Sequence, residues 1–309
     1  MAALAFRDGE FAPFEDMSIG IGTHAFHYGT SVFEGIRAYW SPEGRQLYVF
    51  RPEDHYERLL SSARFFAMEL PYSVDDLCAV TVDLLSRSRA QQDVYVRPIL
   101  FKSSAGIGLW RDGLEDSFVI FHVPMGEYIA GEGVRCCVSS WRRTEGNAAP
   151  ARAKIGGLYA AMSLARLEAM RLGFDEAITL TASGRVAEGT AENIFLVVDG
   201  KLVTPARGED LLAGITRSSV IQLAGAELGI DVVERSVNRS ELYFAEEVFL
   251  CGTAAEVTAV LEIDGRPIAD GKAGEVTRAV RDLYLDVAHG NRAAYANWCR
   301  PVYGGGDTT

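Results

Sequence analysis

Lys154 stands in the run Pro150-Ala-Arg-Ala-Lys-Ile-Gly-Gly-Leu-Tyr159, ahead of an apolar, alanine-rich stretch and beside two glycines. A surface lysine needs none of that company. Desolvation disfavours the ammonium form, so a lysine in apolar surroundings gives up its proton more readily. The neutral amine is the nucleophile that makes Schiff bases with carbonyl compounds. The competing reading is an ordinary solvated lysine, which is what most lysines are.

Thirty-two residues on comes Val186-Ala-Glu-Gly-Thr-Ala-Glu-Asn-Ile-Phe195, where Glu188 and Glu192 interrupt two apolar runs. A polar turn between strands accounts for most such segments. The chemical alternative is a carboxylate aimed at a cofactor cation. Pyridoxal phosphate needs one, because an acidic side chain keeps the ring nitrogen protonated and the ring an electron sink. Spacing alone does not choose between the two glutamates. Leu212-Ala-Gly-Ile-Thr-Arg-Ser-Ser219 opens a helix after a glycine, and Leu250-Cys-Gly-Thr-Ala-Ala-Glu256 follows a strand. Each offers backbone N–H groups and a threonine hydroxyl in a small-residue turn, the usual construction of an anion site.

Positioning those residues takes a large scaffold. Gln46–Phe50 reads as a strand, Pro52–Met68 as a helix with proline in its first turn, and Val74–Ala90 as a second amphipathic helix. Val94–Phe101 and Ser117–Val123 read as buried strands. The glycine-rich Pro124–Gly133 is expected to connect two domains, 1–123 and 134–309. Beyond it, Val134–Trp141 reads as a strand and Ala160–Leu172 as a helix closed by Gly173. Hairpin turns fall at Ser183-Gly184 and Asp199-Gly200. Thr216–Leu228 and Gly271–Val287 read as helices, Asp231–Ser236 and Val248–Cys251 as strands. Strands and helices mix without strict βαβ spacing, so the fold class is α+β in two lobes.

With 309 residues and 48% hydrophobic content the chain can build a sizeable core. The formal net charge of −12 argues against nucleic-acid binding. No apolar stretch is long enough to span a membrane, and the N-terminus lacks the pattern of a secretory signal, so a cytoplasmic protein is expected. Five cysteines without a CxxC spacing fit a reducing compartment. Cys136 and Cys137, adjacent in a strand, should point to opposite faces as packing residues. Dinucleotide and P-loop motifs are absent. His24 and His27 are three apart, but no acidic or cysteine ligand accompanies them, so no metal site is expected.

The motifs as a set resemble the class IV (fold-type IV) pyridoxal-phosphate aminotransferases, and among them the bacterial branched-chain group. They are His27-Tyr-Gly-Thr-Ser-Val-Phe-Glu-Gly-Ile-Arg37, His55-Tyr-Glu-Arg-Leu59, Tyr95-Val-Arg-Pro98, the Lys154 segment, Glu188-Gly-Thr-Ala-Glu-Asn193, Gly214-Ile-Thr-Arg217 and Gly252-Thr-Ala-Ala-Glu256. The resemblance runs from about Phe6 to Trp298. It implies a small N-terminal α/β lobe, a larger pseudo-barrel lobe, and cofactor between them. It makes Lys154 the Schiff-base lysine and proton carrier, Tyr159 the partner of the ring hydroxyl, and Glu188 the partner of the ring nitrogen. Arg58, Ile215, Thr216 and Thr253 would hold the phosphate.

For substrate the resemblance implies Arg97 for a distal carboxylate, and Tyr95, Ala254 and Ala255 for the α-carboxylate. Tyr28, Phe33, Leu109, Met125, Tyr128 and Tyr159 would line the apolar side, with Arg37 in the same set and some residues coming from a second copy of the chain. Read without the family, Tyr159, Phe33 and Leu109 are ordinary core residues, and Arg58 is a helix arginine paired with Glu57 or Asp54. Met125 and Leu158 depart from the family's usual tryptophan and asparagine, which leaves donor preference open. The implied activity moves the amino group of leucine, isoleucine or valine to 2-oxoglutarate in a homodimer or larger homo-oligomer. Its rivals are D-amino acid and (R)-amine transaminases, aminodeoxychorismate lyase, and a non-catalytic binder of the same fold.

Overall fold

The computed structural model describes residues 4–110, 112–126 and 131–304. The chain divides into two compact units. Unit 1 is Met1–Gly126 with Ala153–Gly157 and Asp286–Thr309, and unit 2 is Glu127–Arg152 with Leu158–Leu285. The first change of unit falls inside the expected connection. Two segments expected in the second domain group with unit 1 instead, and both do so by backbone pairing. Cys299–Pro301 forms a strand against Tyr48–Phe50, and Ile155 bridges to Val32.

Unit 1 contains β1 (Leu4–Arg7), β2 (Glu10–Pro13), α1 (His24–Tyr28), β3 (Ser31–Phe33), β4 (Ile36–Ser41), β5 (Gln46–Phe50), α2 (Pro52–Ala63), α3 (Val74–Ser88), β6 (Val94–Lys102) and β7 (Asp116–Pro124). Its antiparallel sheet runs from the C-terminal strand through β5, β4, β6, β7 and β1 to β2, with β3 also paired to β6. In β6 the side chains alternate, so Val94, Val96, Pro98 and Leu100 share one face and Tyr95, Arg97, Ile99 and Phe101 the other. Register places Phe33 opposite Ile99 and Arg37 opposite Tyr95, on that second face. Helix α2 begins with Pro52 and buries His55, Tyr56, Leu59 and Ser62, an inward stripe at helical spacing. It is shorter than expected, because a 3-10 turn follows and Ala67 takes a left-handed φ of 42°. Helix α3 starts on a capping box between Ser73 and Asp76.

Unit 2 contains β8 (Val134–Arg142), α4 (Tyr159–Arg171), β9 (Glu176–Leu180), β10 (Val186–Glu188), β11 (Asn193–Val198), β12 (Lys201–Pro205), α5 (Ile215–Glu227), β13 (Val232–Arg235), β14 (Glu247–Gly252), β15 (Glu256–Ile263), β16 (Arg266–Pro267) and the start of α6 (Glu275–Ala288). The sheet runs β10-β9-β8-β15-β14-β11-β12-β13. Its two ends meet: Val186 N–H donates to Val237 O at 2.9 Å, and Arg185 bridges to Asn238 just past β13. The sheet therefore wraps around an interior that includes Cys136, Ile178, Val186, Ile194, Leu196 and Leu250. Cys137, next to Cys136, packs on the outside against Ala165 and Ala169 of α4, as strand alternation requires. The Asp199-Gly200 turn has both residues at positive φ, the hairpin geometry that Asp-Gly favours. Among the described residues, no helix is long and apolar enough to cross a membrane.

Candidate active site

Lys154 is stitched into unit 1 by its backbone. Its N–H donates to Ser62 Oγ at 3.1 Å, and its carbonyl accepts from Phe33 N–H at 3.1 Å. Gly157 N–H donates to Gly29 O at 3.3 Å. Gly29 is left-handed (φ 66°), and a Cβ there would lie 2.7 Å from Gly157 Cα, so a bare backbone is needed for the approach. The Lys154 side chain is half-buried, with Nζ 5.0 Å from the centroid of the Phe33 ring.

Arg97 stands at the same ring, its Cζ 4.5 Å from the Phe33 centroid and 5.1 Å from that of Tyr95. Arg97 Nη2 donates to Tyr95 Oη at 3.0 Å, and its buried Nε has no internal partner. Gly35 makes room for this stack, since a Cβ there would overlap the Tyr95 hydroxyl. Arg37 lies on the same face and is buried. Its guanidinium pairs with Asp93 at 3.5 Å, donates to Gly126 O at 3.3 Å, and lies over Tyr39. These contacts anchor the chain just beyond Met125, whose N–H donates to Asp93 O.

Arg58 pairs outside its own helix. Asp54 goes to Arg51 at 2.9 Å, while Arg58 meets Glu34, twenty-four residues away, through Nε at 2.6 Å and Nη2 at 2.8 Å. Glu34 is fully buried and takes a third partner, His55 Nδ1, at 2.8 Å. Burial alone would raise the Glu34 carboxyl. The Arg58 charge and hydrogen bonds, with His55, outweigh it and hold the group far below the carboxylate range. Burial lowers His55, and the charges of Arg58 and Lys154 add to that against the opposing pull of Glu34. A neutral His55 facing a carboxylate must carry its proton on Nδ1. Ser62 Oγ donates to Arg58 O at 2.8 Å and so joins the Arg58 turn to the Lys154 backbone.

Tyr28 and Leu109 belong to a separate cluster of unit 1. Tyr28 Oη accepts from Gly108 N–H at 2.8 Å. Fully buried His24 reaches the same loop through Nε2, 3.0 Å from Gly108 O and 3.1 Å from Leu109 O. His27 bonds Ile21 O at 2.6 Å. Both histidines considered for a metal thus make local hydrogen bonds. Leu109 itself is 78% exposed, so it is no core residue of this chain. Tyr128 lies outside the described residues.

Unit 2 gathers the remaining set. Glu188 Oε1 pairs with Arg143 at 2.8 Å. Its Oε2 accepts from Asn193 Nδ2 at 2.9 Å and Leu212 N–H at 3.2 Å. Three donors, one of them a guanidinium, suit an ionised carboxylate. Glu192 differs: buried beside Glu176, whose own partner is Arg166, its carboxyl is pushed up to about 8, first by burial and then by that neighbouring charge. Helix α5 begins at Ile215 and Thr216 behind Gly214, which offers no capping side chain. A Cβ on Gly214 would strike Asn193 Oδ1, so the helix N-terminus sits against the residue that holds Glu188. Thr253, Ala254 and Ala255 form the three-residue turn between β14 and β15, with Gly252 paired to Glu256. A Cβ on Gly252 would lie 3.3 Å from Ala191 O, so this turn lies against the Glu188–Glu192 turn. Tyr159 opens α4, half-buried.

Sequence reasoning gave no role to Glu34, His55 or Arg143, which hold Arg58 and Glu188, and weighed His24 only as a metal ligand. Glu34 had a signal, an acid inside an apolar strand region next to a glycine. Arg143, in a Trp-Arg-Arg run, had none.

The sequence model of the amino-transferase class IV family matches residues 31–263. A probable branched-chain-amino-acid aminotransferase of Aquifex aeolicus is 45% identical over 300 residues, covering 97% of this chain and 96% of the relative. The branched-chain aminotransferase of Thermoproteus uzoniensis, solved with norvaline, superposes with a TM-score of 0.93 at 41% identity over 98% of this chain and 100% of that one. The branched-chain amino acid aminotransferase of Thermobaculum terrenum, solved in its PLP form, gives 0.94 at 35% identity, with 98% and 99% covered.

Proposed function

The chain belongs to the class IV aminotransferases, and from that premise we propose that it moves the amino group of L-leucine, L-isoleucine or L-valine to 2-oxoglutarate. The reaction runs in two half-reactions at one pyridoxal phosphate. The observation that carries the reading is the Phe33 ring with both the Lys154 amine and the Arg97 guanidinium beside it. An apolar surface beside the amine suits an aliphatic side chain. An arginine at its edge, with one buried N–H unpaired, suits the carboxylate of glutamate.

The residues fit the cofactor by their donor chemistry. Glu188, held by Arg143, Asn193 and the Leu212 amide, can stay ionised opposite a ring N–H, whereas Glu192 favours its neutral form. Arg58, the α5 amides of Ile215 and Thr216, and Thr253 offer a cation, amides and hydroxyls for a phosphate. When bound, pyridoxal phosphate supplies the electron sink that weakens the bond to a substrate Cα hydrogen. Lys154 Nζ would take that proton and return it, Tyr159 would hold the ring hydroxyl, and Tyr95 with Ala254 and Ala255 would receive the α-carboxylate. Tyr28, Phe33, Leu109 and Met125 would shape the apolar side, the role the family resemblance also gives Tyr128.

Tyr28 and Leu109 serve a second copy of the chain in this reading, so the active species is a homodimer or a multiple of it. Leu109 exposure supports this. Five buried free cysteines support a reducing, cytoplasmic setting.

Lys154→Ala should abolish transfer from every amino donor. Borohydride reduction should fix the cofactor to the peptide containing Lys154; finding it on Lys102, which pairs with Asp116, or on Lys201 would overturn the assignment. In a donor panel with 2-oxoglutarate, L-leucine, L-isoleucine and L-valine should lead. Preference for D-amino acids or (R)-amines would replace the substrate reading and leave the lysine assignment standing.

A further inference from the structure

We propose that Glu34 is a positioning residue for cofactor capture: with His55 it fixes the Arg58 guanidinium in the one orientation that serves the phosphate. The inference deepens the reading above and rests on its assignment of Arg58.

Arg58 has a flexible stem, and an unrestrained arginine loses considerable side-chain freedom when it must hold one pose. Glu34 removes that freedom in advance. Two parallel N–H···O bonds, to Nε at 2.6 Å and Nη2 at 2.8 Å, set both the place and the plane of the guanidinium. Two of five guanidinium N–H donors are thereby committed. Glu34 is itself fixed. It is fully buried, its Oε2 accepts from His55 Nδ1 at 2.8 Å, and Gly35 N–H lies 3.3 Å from the same oxygen. His55 is 2% exposed, on the inward stripe of α2 one turn before Arg58. The chain of restraint runs from buried helix histidine to buried carboxylate to guanidinium.

Glu34 also supplies charge. Arg58 and Lys154 are held close through Ser62, and the Lys154 and Arg58 charges both act on His55. Without a buried anion this corner would gather two cations around a histidine. Glu34 offsets part of that charge, which lets Arg58 remain inside.

A carboxylate that only stabilised the fold would affect every ligand alike. One that acts through Arg58 affects only ligands with a phosphate. The test compares affinities of the cofactor-stripped full chain for pyridoxal phosphate and for pyridoxal, which differ in that group. Glu34→Gln should weaken pyridoxal phosphate by about 10- to 100-fold, the loss typical when the group orienting a ligand residue is removed. Pyridoxal should shift less than about twofold, on the same reasoning that it lacks the group in question. Arg58→Ala should show the same selectivity. Adding Glu34→Gln to Arg58→Ala should cost nothing more for pyridoxal phosphate, as expected of two residues acting as a unit. His55→Gln keeps the Glu34–Arg58 pair and should give a smaller loss of the same selectivity; it carries the test if Glu34→Gln does not fold.

Equal losses for both ligands, or additive losses in the double variant, would overturn the proposal. If Arg58→Ala left the ratio of the two affinities unchanged, the phosphate role of Arg58 would fall, and the proposal with it. If Arg58→Ala were selective and Glu34→Gln were not, the phosphate role would stand and only the positioning role would fail.

Discussion

Glu188 and Glu192 are the same residue type four positions apart, and their surroundings make them opposites. Glu188 meets Arg143, Asn193 and a backbone amide, whereas Glu192 is buried against Glu176 and accepts from the Ala191 N–H. The contrast has a pH signature. The folded chain holds the Glu192 proton up to about 8, against an ordinary value of 4.5, so between those values the unfolded chain binds fewer protons. Stability from this group therefore falls as pH rises through that window. Glu192→Gln should remove the fall, making the loss between pH 5 and pH 8 smaller by about 3 kcal/mol in denaturant unfolding. Parallel profiles for the two proteins would show that Glu192 is ionised in the fold. Arg97 gives a prediction of another kind. Arg97→Leu should slow the glutamate half-reaction by about 100-fold, the scale of a buried carboxylate left unpaired. The leucine half-reaction should change by less than about fivefold, because an aliphatic side chain forms no ion pair. Equal losses in single half-reactions would make Arg97 structural.

Elements with a strong local pattern were legible. Helices α3 and α4, strands β6 and β7, and the Asp199-Gly200 hairpin fall within a residue or two of the expected positions, because apolar periodicity and turn residues are local properties. What escaped was set by distant partners. The short strands β1 and β3 exist because β7 and β6 pair with them. The Lys154 segment and Cys299–Pro301 join unit 1 through backbone bonds that no local pattern encodes. The site divides the same way. Lys154 and the Glu188–Glu192 pair stood out by residue type and company, and Arg97 and the choice of Glu188 came from the family resemblance, while the partners that hold them were invisible until the elements met. The loop at 104–110 illustrates this. His24 Nε2 faces two carbonyls, so it carries the ring proton, and Nδ1 accepts from the Thr30 hydroxyl at 2.8 Å. Gly106 and Gly108, at φ 144° and 135°, let the loop turn over this clamp. His24→Ala should speed amide hydrogen exchange across 104–110 by about tenfold or more, with α3 unchanged. Unaltered exchange in that peptide would mean the loop is held by other contacts.

At the scale of the whole molecule, unit 1 presents apolar surface that its own chain does not cover. Ile21 is 85% exposed, Phe26 70%, and Ile107 and Leu109 78% each. Next to Phe26 lies an apolar groove of about 310 Å³ whose walls include Phe14, Ile19, Phe101 and Phe121. Isolated exposed apolar residues are common on soluble proteins, but a patch joined to a groove marks an interaction surface. The net charge of −12 sets copies of the chain against one another. If copies associate, apolar burial has to drive it, and high salt should preserve the association rather than weaken it. Sedimentation at micromolar concentration should give at least twice the 33.7 kDa chain mass, with and without added salt. Phe26→Asp replaces a ring that reaches into solvent, so it should leave the fold of the single chain intact. It should shift the protein toward monomer, because a carboxylate cannot be buried there without a partner. If Tyr28 and Leu109 serve the second copy, as proposed, activity should fall with the dimer and recover at higher protein concentration. A fully active monomer would refute the shared site and return those two residues to a purely structural role.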